Sequence, residues 1–130
     1  RRTIPGETYD SVSSELTEVL EQLAATIPNF TYEISAPSLN CPALKTDMSS
    51  PIVHAISTAV KRVTGQDVEY MTFPGSTDAP NFGCPTVICG AGDLAQCHSI
   101  NEYVPISEIR SAALIYLETI LLMQNQPTLK

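Results

Sequence analysis

Thr86-Val87-Ile88-Cys89 is a continuous apolar run between Pro85 and Gly90, and it leads directly into Gly90-Ala91-Gly92-Asp93-Leu94-Ala95-Gln96-Cys97-His98-Ser99-Ile100-Asn101-Glu102-Tyr103-Val104. An apolar run of this length, closed on both sides by turn residues, reads as a strand buried on both faces, as in a parallel sheet. The segment after it carries no apolar period, so it reads as a polar loop running to about Pro105. In open α/β sheets the loops beyond the carboxyl ends of strands line the ligand crevice. His98 lies in such a loop and is one of only two histidines in the chain. A lone loop histidine is usually polar surface, and position alone does not make it a ligand. The other, His54, sits beside Val53 and reads as a partly exposed helix residue.

Working outward, a closing helix is expected from Ser107, with Ile109, Ala113, Tyr116 and Ile120 packed on one side and Leu114, Leu117 and Leu121 widening the stripe. Pro127 marks its end. Upstream, Ser50-Pro51 is a helix start, with Ser as N-cap and Pro at the first helical position, where its missing N–H costs nothing. Val53, Ile56, Val60 and Val63 continue at helical spacing to Gly65, a helix stop. Val68-Glu69-Tyr70-Met71-Thr72-Phe73 is strand-like, and residues 74–81 form a loop or a short helical turn.

The first third has its own pattern. Arg1 to Ile4 reads as a short strand ended by Pro5-Gly6. From Thr8, Val12, Leu16, Val19, Leu20, Leu23 and Ile27 form one face of an amphipathic helix whose other faces hold Glu15, Glu18, Glu21 and Gln22. Pro28-Asn29 stops it, and residues 30–34 alternate as a half-buried strand. The irregular run through Pro37, Asn40, Cys41 and Pro42 is the best internal boundary. Helices alternating with strands indicate an α/β fold. The opening Arg1-Arg2-Thr3-Ile4-Pro5-Gly6 has no Met and reads as a strand entered part-way, so a C-terminal piece of a longer protein is expected.

Composition removes several function classes. The 130 residues carry 7 Lys plus Arg against 14 Asp plus Glu, a net charge of −7, so neither nucleic acid nor an anionic membrane is an expected partner. The longest strongly apolar stretch, residues 112–123, is broken by Tyr116, Glu118 and Thr119 and is too short to cross a bilayer. Cys84 and Cys89, if extended, stand about 16 Å apart at roughly 3.3 Å per residue, well beyond the ~7 Å reach of a disulfide. No C-x-x-C occurs, and the spacing of Cys41, Cys84, Cys89 and Cys97 fits no zinc ribbon or finger. Reduced thiols in a cytoplasmic protein are expected, with a secreted form pairing Cys89 and Cys97 as the alternative.

Three segments in order carry a resemblance. Gly90-Ala91-Gly92 through His98 to Asn101-Glu102-Tyr103 resembles the C-terminal signature of the zinc-dependent aminoacylase and carboxypeptidase family, which includes acetylornithine deacetylase, succinyl-diaminopimelate desuccinylase and glutamate carboxypeptidase. Arg2-Thr3-Ile4-Pro5-Gly6-Glu7 is similar to the family's Arg-x-x-Pro-Gly-Glu strand and turn, and Gly75-Ser76-Thr77-Asp78-Ala79 to its Gly-Thr/Ser-Ser/Thr-Asp loop. Ala91 departs from the usual Pro, and Cys97 from a small apolar residue.

The resemblance implies the C-terminal part of a zinc-peptidase-like catalytic domain, residues 47–130, preceded by the last strand, helix and strand of a ferredoxin-like lid and dimerisation domain, residues 1–46. It implies His98 as a ligand to one of two zinc ions, with cobalt or manganese as substitutes. Gly75, Ser76, Thr77, Asp78, Gly90, Gly92 and Asn101 would line the substrate crevice, and Glu102 would fix the loop rather than bind metal. Asp78 also has a plainer reading, as a helix cap or turn residue, and Arg2 would anchor strand and turn. No catalytic residue is expected within this chain, because the family's proton-accepting Glu and remaining ligands precede the first matching segment. The implied reaction is hydrolysis of an N-acyl or peptide bond of an amino-acid derivative, with the missing N-terminal portion and a second copy as partners. A dipeptidase or carboxypeptidase of the same family, a non-catalytic oligomerisation or scaffold domain, and a free-standing metal module using His98, Cys97, Cys89 and Cys84 are the other readings.

Overall fold

The computed structural model describes residues 4–36 and 42–125. The chain divides into two compact units, Arg1–Lys45 with Ser76–Gly83 and Thr46–Gly75 with Cys84–Lys130.

The first unit contains α1, Tyr9–Thr26. Thr8 and Ser11 form a reciprocal capping box at its start: Thr8 Oγ1 accepts the Ser11 amide at 3.1 Å, and Ser11 Oγ accepts the Thr8 amide at 3.0 Å. Two of the otherwise orphaned N–H groups of the region are thereby satisfied. The helix ends at Ile27, and Asn29 takes φ +61, a left-handed conformation that Asn tolerates better than most residues. The expected stop at Pro28-Asn29 is therefore found. The apolar stripe is also there, but no residue of α1 is buried, and Leu16, Val19, Leu23 and Ile27 remain exposed. A second element of this unit, the short 3-10 helix Ala79–Phe82, ends in Gly83 at φ +67.

The second unit is built on α2, Pro51–Thr64, and α3, Ile106–Gln124, which pack against each other. Proline occupies the first turn of α2, and Gly65 closes it in the left-handed conformation, φ +76, with its amide donating to the Lys61 carbonyl. Ser50 stands at the N-cap but does not cap with its side chain; its hydroxyl donates to the Asp47 carbonyl instead, at 2.6 Å. The core joins Ile56, Ala59 and Ile115, with Val60, Val63, Val87 and Leu122 partly buried around them. Ala59 is fully buried. A methyl at that position lets α3 approach closely, and the larger Ile56 and Ile115 fill the space on either side.

Two expectations are corrected here. The stripe of α3 is misassigned: Ile109, Tyr116, Ile120, Leu114, Leu117 and Leu121 are exposed, and Ala113 with them, whereas Ala112, Ile115 and Thr119 are the buried positions. Because apolar residues surround most of α3, its sequence does not single out one stripe; contact with α2 selects the face. The strands are the second correction. Among the described residues no segment forms a strand ladder, including residues 30–34, 68–73 and 86–89. Residues 1–3 of the expected first strand lie outside the described residues. A strand exists only with a neighbour to bond, and parallel neighbours come from distant chain.

In place of ladder partners, side chains hold the 86–89 segment. Thr46 Oγ1 donates to the Thr86 carbonyl and accepts the Thr86 amide, and Tyr116 Oη donates to the Cys89 carbonyl at 2.8 Å. Only one side of the segment meets the core: Val87 is half-buried, while Ile88 is exposed. Arg62 and Glu118 join α2 to α3 across the surface at 3.0 Å. No helix among the described residues is long and apolar enough to cross a membrane.

Candidate functional site

The loop after residue 89 is shaped from within. Gly92 adopts φ +93, a conformation that calls for glycine, and a Cβ built there would stand 3.0 Å from Val104 Cγ2, so the valine would have to give way. Asp93 then caps the short 3-10 helix Leu94–Gln96, its Oδ1 accepting the Ala95 amide at 2.9 Å. The amides of Cys97 and Ser99 donate to the Leu94 and Gln96 carbonyls, continuing the tight turn. His98 follows at φ +63, one of two non-glycine residues in the left-handed region among the described residues. Its amide donates to Glu102 Oε2 at 3.1 Å, which is the geometry of a loop-fixing residue. The His98 side chain belongs to an exposed residue.

Beside this loop, Gly90, Ala91 and Gly92 line a small open groove with Cys89, Glu108, Ser111, Ala112 and Ile115. Glu108, in the first turn of α3, sends Oε2 to the Gly92 amide at 3.0 Å. Glu108 is not among the residues expected at the site. The available signal was an acidic residue in the first turn of a helix, where the dipole favours it. Tyr116, expected only to pack, also has a polar role: its hydroxyl donates to the Cys89 carbonyl.

The expected crevice residues fall in both units. Gly75, Gly90, Gly92, His98 and Asn101 belong to the second, and all but Gly75 share the loop just described; Ser76, Thr77 and Asp78 belong to the first. At Gly75 a Cβ would stand 2.5 Å from the Phe73 ring, a close approach that excludes a side chain unless the ring moves. Asp78 stands at the N-cap of Ala79–Phe82 without a side-chain capping bond; its carbonyl accepts the Asn81 amide at 2.9 Å. Arg2, Asn40 and Cys41 lie outside the described residues.

A structural zinc site takes about four donors and a catalytic one about three. Among the described residues no group of three or more His, Cys, Asp or Glu side chains is gathered to hold a metal. By themselves these residues do not fit a zinc ion, and the module of His98, Cys97, Cys89 and Cys84 is not assembled. What the loop offers is one accessible imidazole on a pinned backbone. Cys84, Cys89 and Cys97 are free thiols. Desolvation at Cys89 raises its thiol pKa above the ordinary value, which favours the protonated thiol.

Comparison with known proteins bears on what this loop serves. The profile of peptidase family M20/M25/M40 matches residues 5–122. The acetylornithine deacetylase of Aliivibrio fischeri (strain ATCC 700601 / ES114) is 31% identical over 110 residues, 83% of this chain and 27% of that protein. The succinyl-diaminopimelate desuccinylase of Wolinella succinogenes is 33% identical over 111 residues, 83% of this chain and 29% of that protein. That of Ehrlichia canis is 28% identical over 116 residues, 87% of this chain and 28% of that protein. This chain thus spans between a quarter and a third of the length of these relatives, and no solved structure matches it. With the match running from Pro5 through most of α3, the chain belongs to peptidase family M20/M25/M40.

Proposed function

We propose that this chain acts as the C-terminal part of a zinc-dependent hydrolase that cleaves the N-acyl bond of an amino-acid derivative, as an acetylornithine deacetylase or desuccinylase does. The family match over residues 5–122 carries the reading. In it, His98 supplies one imidazole to a metal centre whose other ligands come from chain outside this sequence. Zinc in such a centre supplies an acidified water and a Lewis acid. The residues here bind and orient: His98 as a ligand, and Gly75, Ser76, Thr77, Asp78, Gly90, Gly92 and Asn101 along the crevice, where small side chains leave backbone N–H groups open to a substrate carboxylate or acyl oxygen.

Residues 1–46 would belong to a lid and dimerisation domain and residues 47–130 to the catalytic domain. The unpartnered stripe of α1 supports self-association through the first of these. A reducing, cytoplasmic setting belongs to the same reading.

The test is to compare the 130-residue chain with a longer chain that includes its upstream coding sequence. N-acetylornithine, N-succinyl-diaminopimelate and a dipeptide serve as substrates, with zinc content measured by mass spectrometry. The longer chain should hydrolyse one of the acyl substrates, the 130-residue chain none, and His98→Ala should lower both zinc content and turnover. Turnover by the short chain alone would overturn the division of labour, and preference for the dipeptide would turn the assignment toward a dipeptidase.

A further inference from the structure

Two residues of the 92–102 loop have their backbone in the left-handed region, Gly92 at φ +93 and His98 at φ +63. In each case a carboxylate from further along the chain accepts that residue's own amide N–H: Glu108 Oε2 at Gly92, 3.0 Å, and Glu102 Oε2 at His98, 3.1 Å. For Gly92 the conformation carries no side-chain penalty. For His98 it does, because its Cβ crowds the following carbonyl. A residue holds such a conformation only where its surroundings over-determine it.

Here the surroundings are identifiable. A charge-assisted N–H to carboxylate bond is stronger than a neutral one and is comparable in size to the penalty. The loop also closes on itself through the turn bonds at Cys97 and Ser99, which leave the His98 amide as the donor facing Glu102. Glu108 is anchored in α3, so its bond ties the start of the loop to a helix of the packed unit.

We propose that Glu108 and Glu102 are positioning residues that hold Gly92, at the start of this loop, and His98, within it, in left-handed turns, and so set the direction in which His98 presents its imidazole. Neither is a ligand or a proton carrier in this role. A carboxylate engaged with a backbone N–H acts through His98 rather than on substrate. The role rests on the reading of His98 as a metal ligand, but the clamps themselves do not.

Amide hydrogen exchange, followed by NMR in the 130-residue chain, reads each clamp without turnover. Glu102→Ala should speed exchange at His98 by roughly tenfold, the scale of one charge-assisted hydrogen bond, and Glu108→Ala should do the same at Gly92. Glu102→Gln and Glu108→Gln keep an oxygen acceptor and should recover most of the protection. Unchanged amides in α2 show that the packed pair is intact. In the longer hydrolase, Glu102→Ala should lower kcat with little change in KM, and Glu102→Gln should restore much of it. Exchange at His98 and Gly92 that ignores the Ala substitutions overturns the clamps, whatever the turnover. Gln variants as damaged as Ala variants overturn the acceptor role. An inactive parent enzyme whose exchange behaves as expected brings down the hydrolase reading and the aim of His98 with it, while the two clamps stand.

Discussion

α1 and α3 are nearly the same length and have opposite fates. α1 has the cleaner pattern, one apolar stripe with acidic residues elsewhere, and yet none of its residues is buried. α3 is apolar around most of its circumference, and it buries Ala112, Ile115 and Thr119. The difference is the partner: α2 lies against α3, and within the described part of its own unit α1 has no second long helix. A stripe records which side of a helix is meant to be covered, but burial energy arrives only when another surface removes the water.

That contrast can be broken most directly in the core. Ile115→Ala should destabilise the α2 and α3 pair by about 2–4 kcal/mol, through lost transfer energy and a cavity. Leu16→Ala in the exposed stripe of α1 should stay within about 0.5 kcal/mol in the isolated chain. Urea denaturation followed by circular dichroism measures both. Equal costs would mean that α1 is covered in solution, and a concentration-dependent cost at Leu16 would identify a second copy as the cover.

Gly65→Ala should cost about 1 kcal/mol, since the left-handed C-cap of α2 at φ +76 then carries a Cβ; the same titration reads it. Thr8→Ala removes one half of the capping box of α1 and should cost about 1 kcal/mol or somewhat less. Loss of helical signal at low temperature is its natural readout, because α1 has little burial to compensate. Arg62→Ala should have the smallest effect, about 0.2–1 kcal/mol, fading in high salt, because its bond to Glu118 lies at the surface.

Cys89 adds a sign that can be checked. Its pKa is raised in the folded chain, so folding favours the neutral thiol. The associated stability is present below the unfolded thiol pKa and is lost as pH rises through the folded value. Cys89 should accordingly be alkylated by iodoacetamide more slowly than a small thiol of ordinary pKa at mildly alkaline pH, with the gap closing on denaturation.

Helix positions were legible because their signals are local. Ser50-Pro51 and Gly65 mark the ends of α2, Thr8 and Pro28-Asn29 those of α1, and each acts within one turn of chain. The packed face of α3 was not legible. With Ile109, Leu114, Ile115, Leu117 and Ile120 spread round the helix, several stripes fit equally well, and only the approach of α2 through Ala59 distinguishes them. The strands failed for a related reason. Thr86-Val87-Ile88-Cys89 has the composition of a buried strand, but a ladder is a property of two segments, and no neighbour for it lies among the described residues. At the candidate site, His98 and the glycines stood out by residue type, whereas Glu108 did not. Its bond to Gly92 spans sixteen positions and depends on where α3 begins.

By itself, the sequence determined the bounds of α1, from Thr8 to Pro28-Asn29, and of α2, from Ser50-Pro51 to Gly65, together with the three ordered motifs that point to the family. Those features depend on backbone sterics, capping and residue identity, all set by near neighbours. Tertiary structure decided which face of α3 meets α2, which side chains hold the 86–89 segment, and which carboxylates fasten the loop bearing His98. These depend on distances between residues far apart in the chain, where burial and hydrogen bonding are settled only once the surfaces meet.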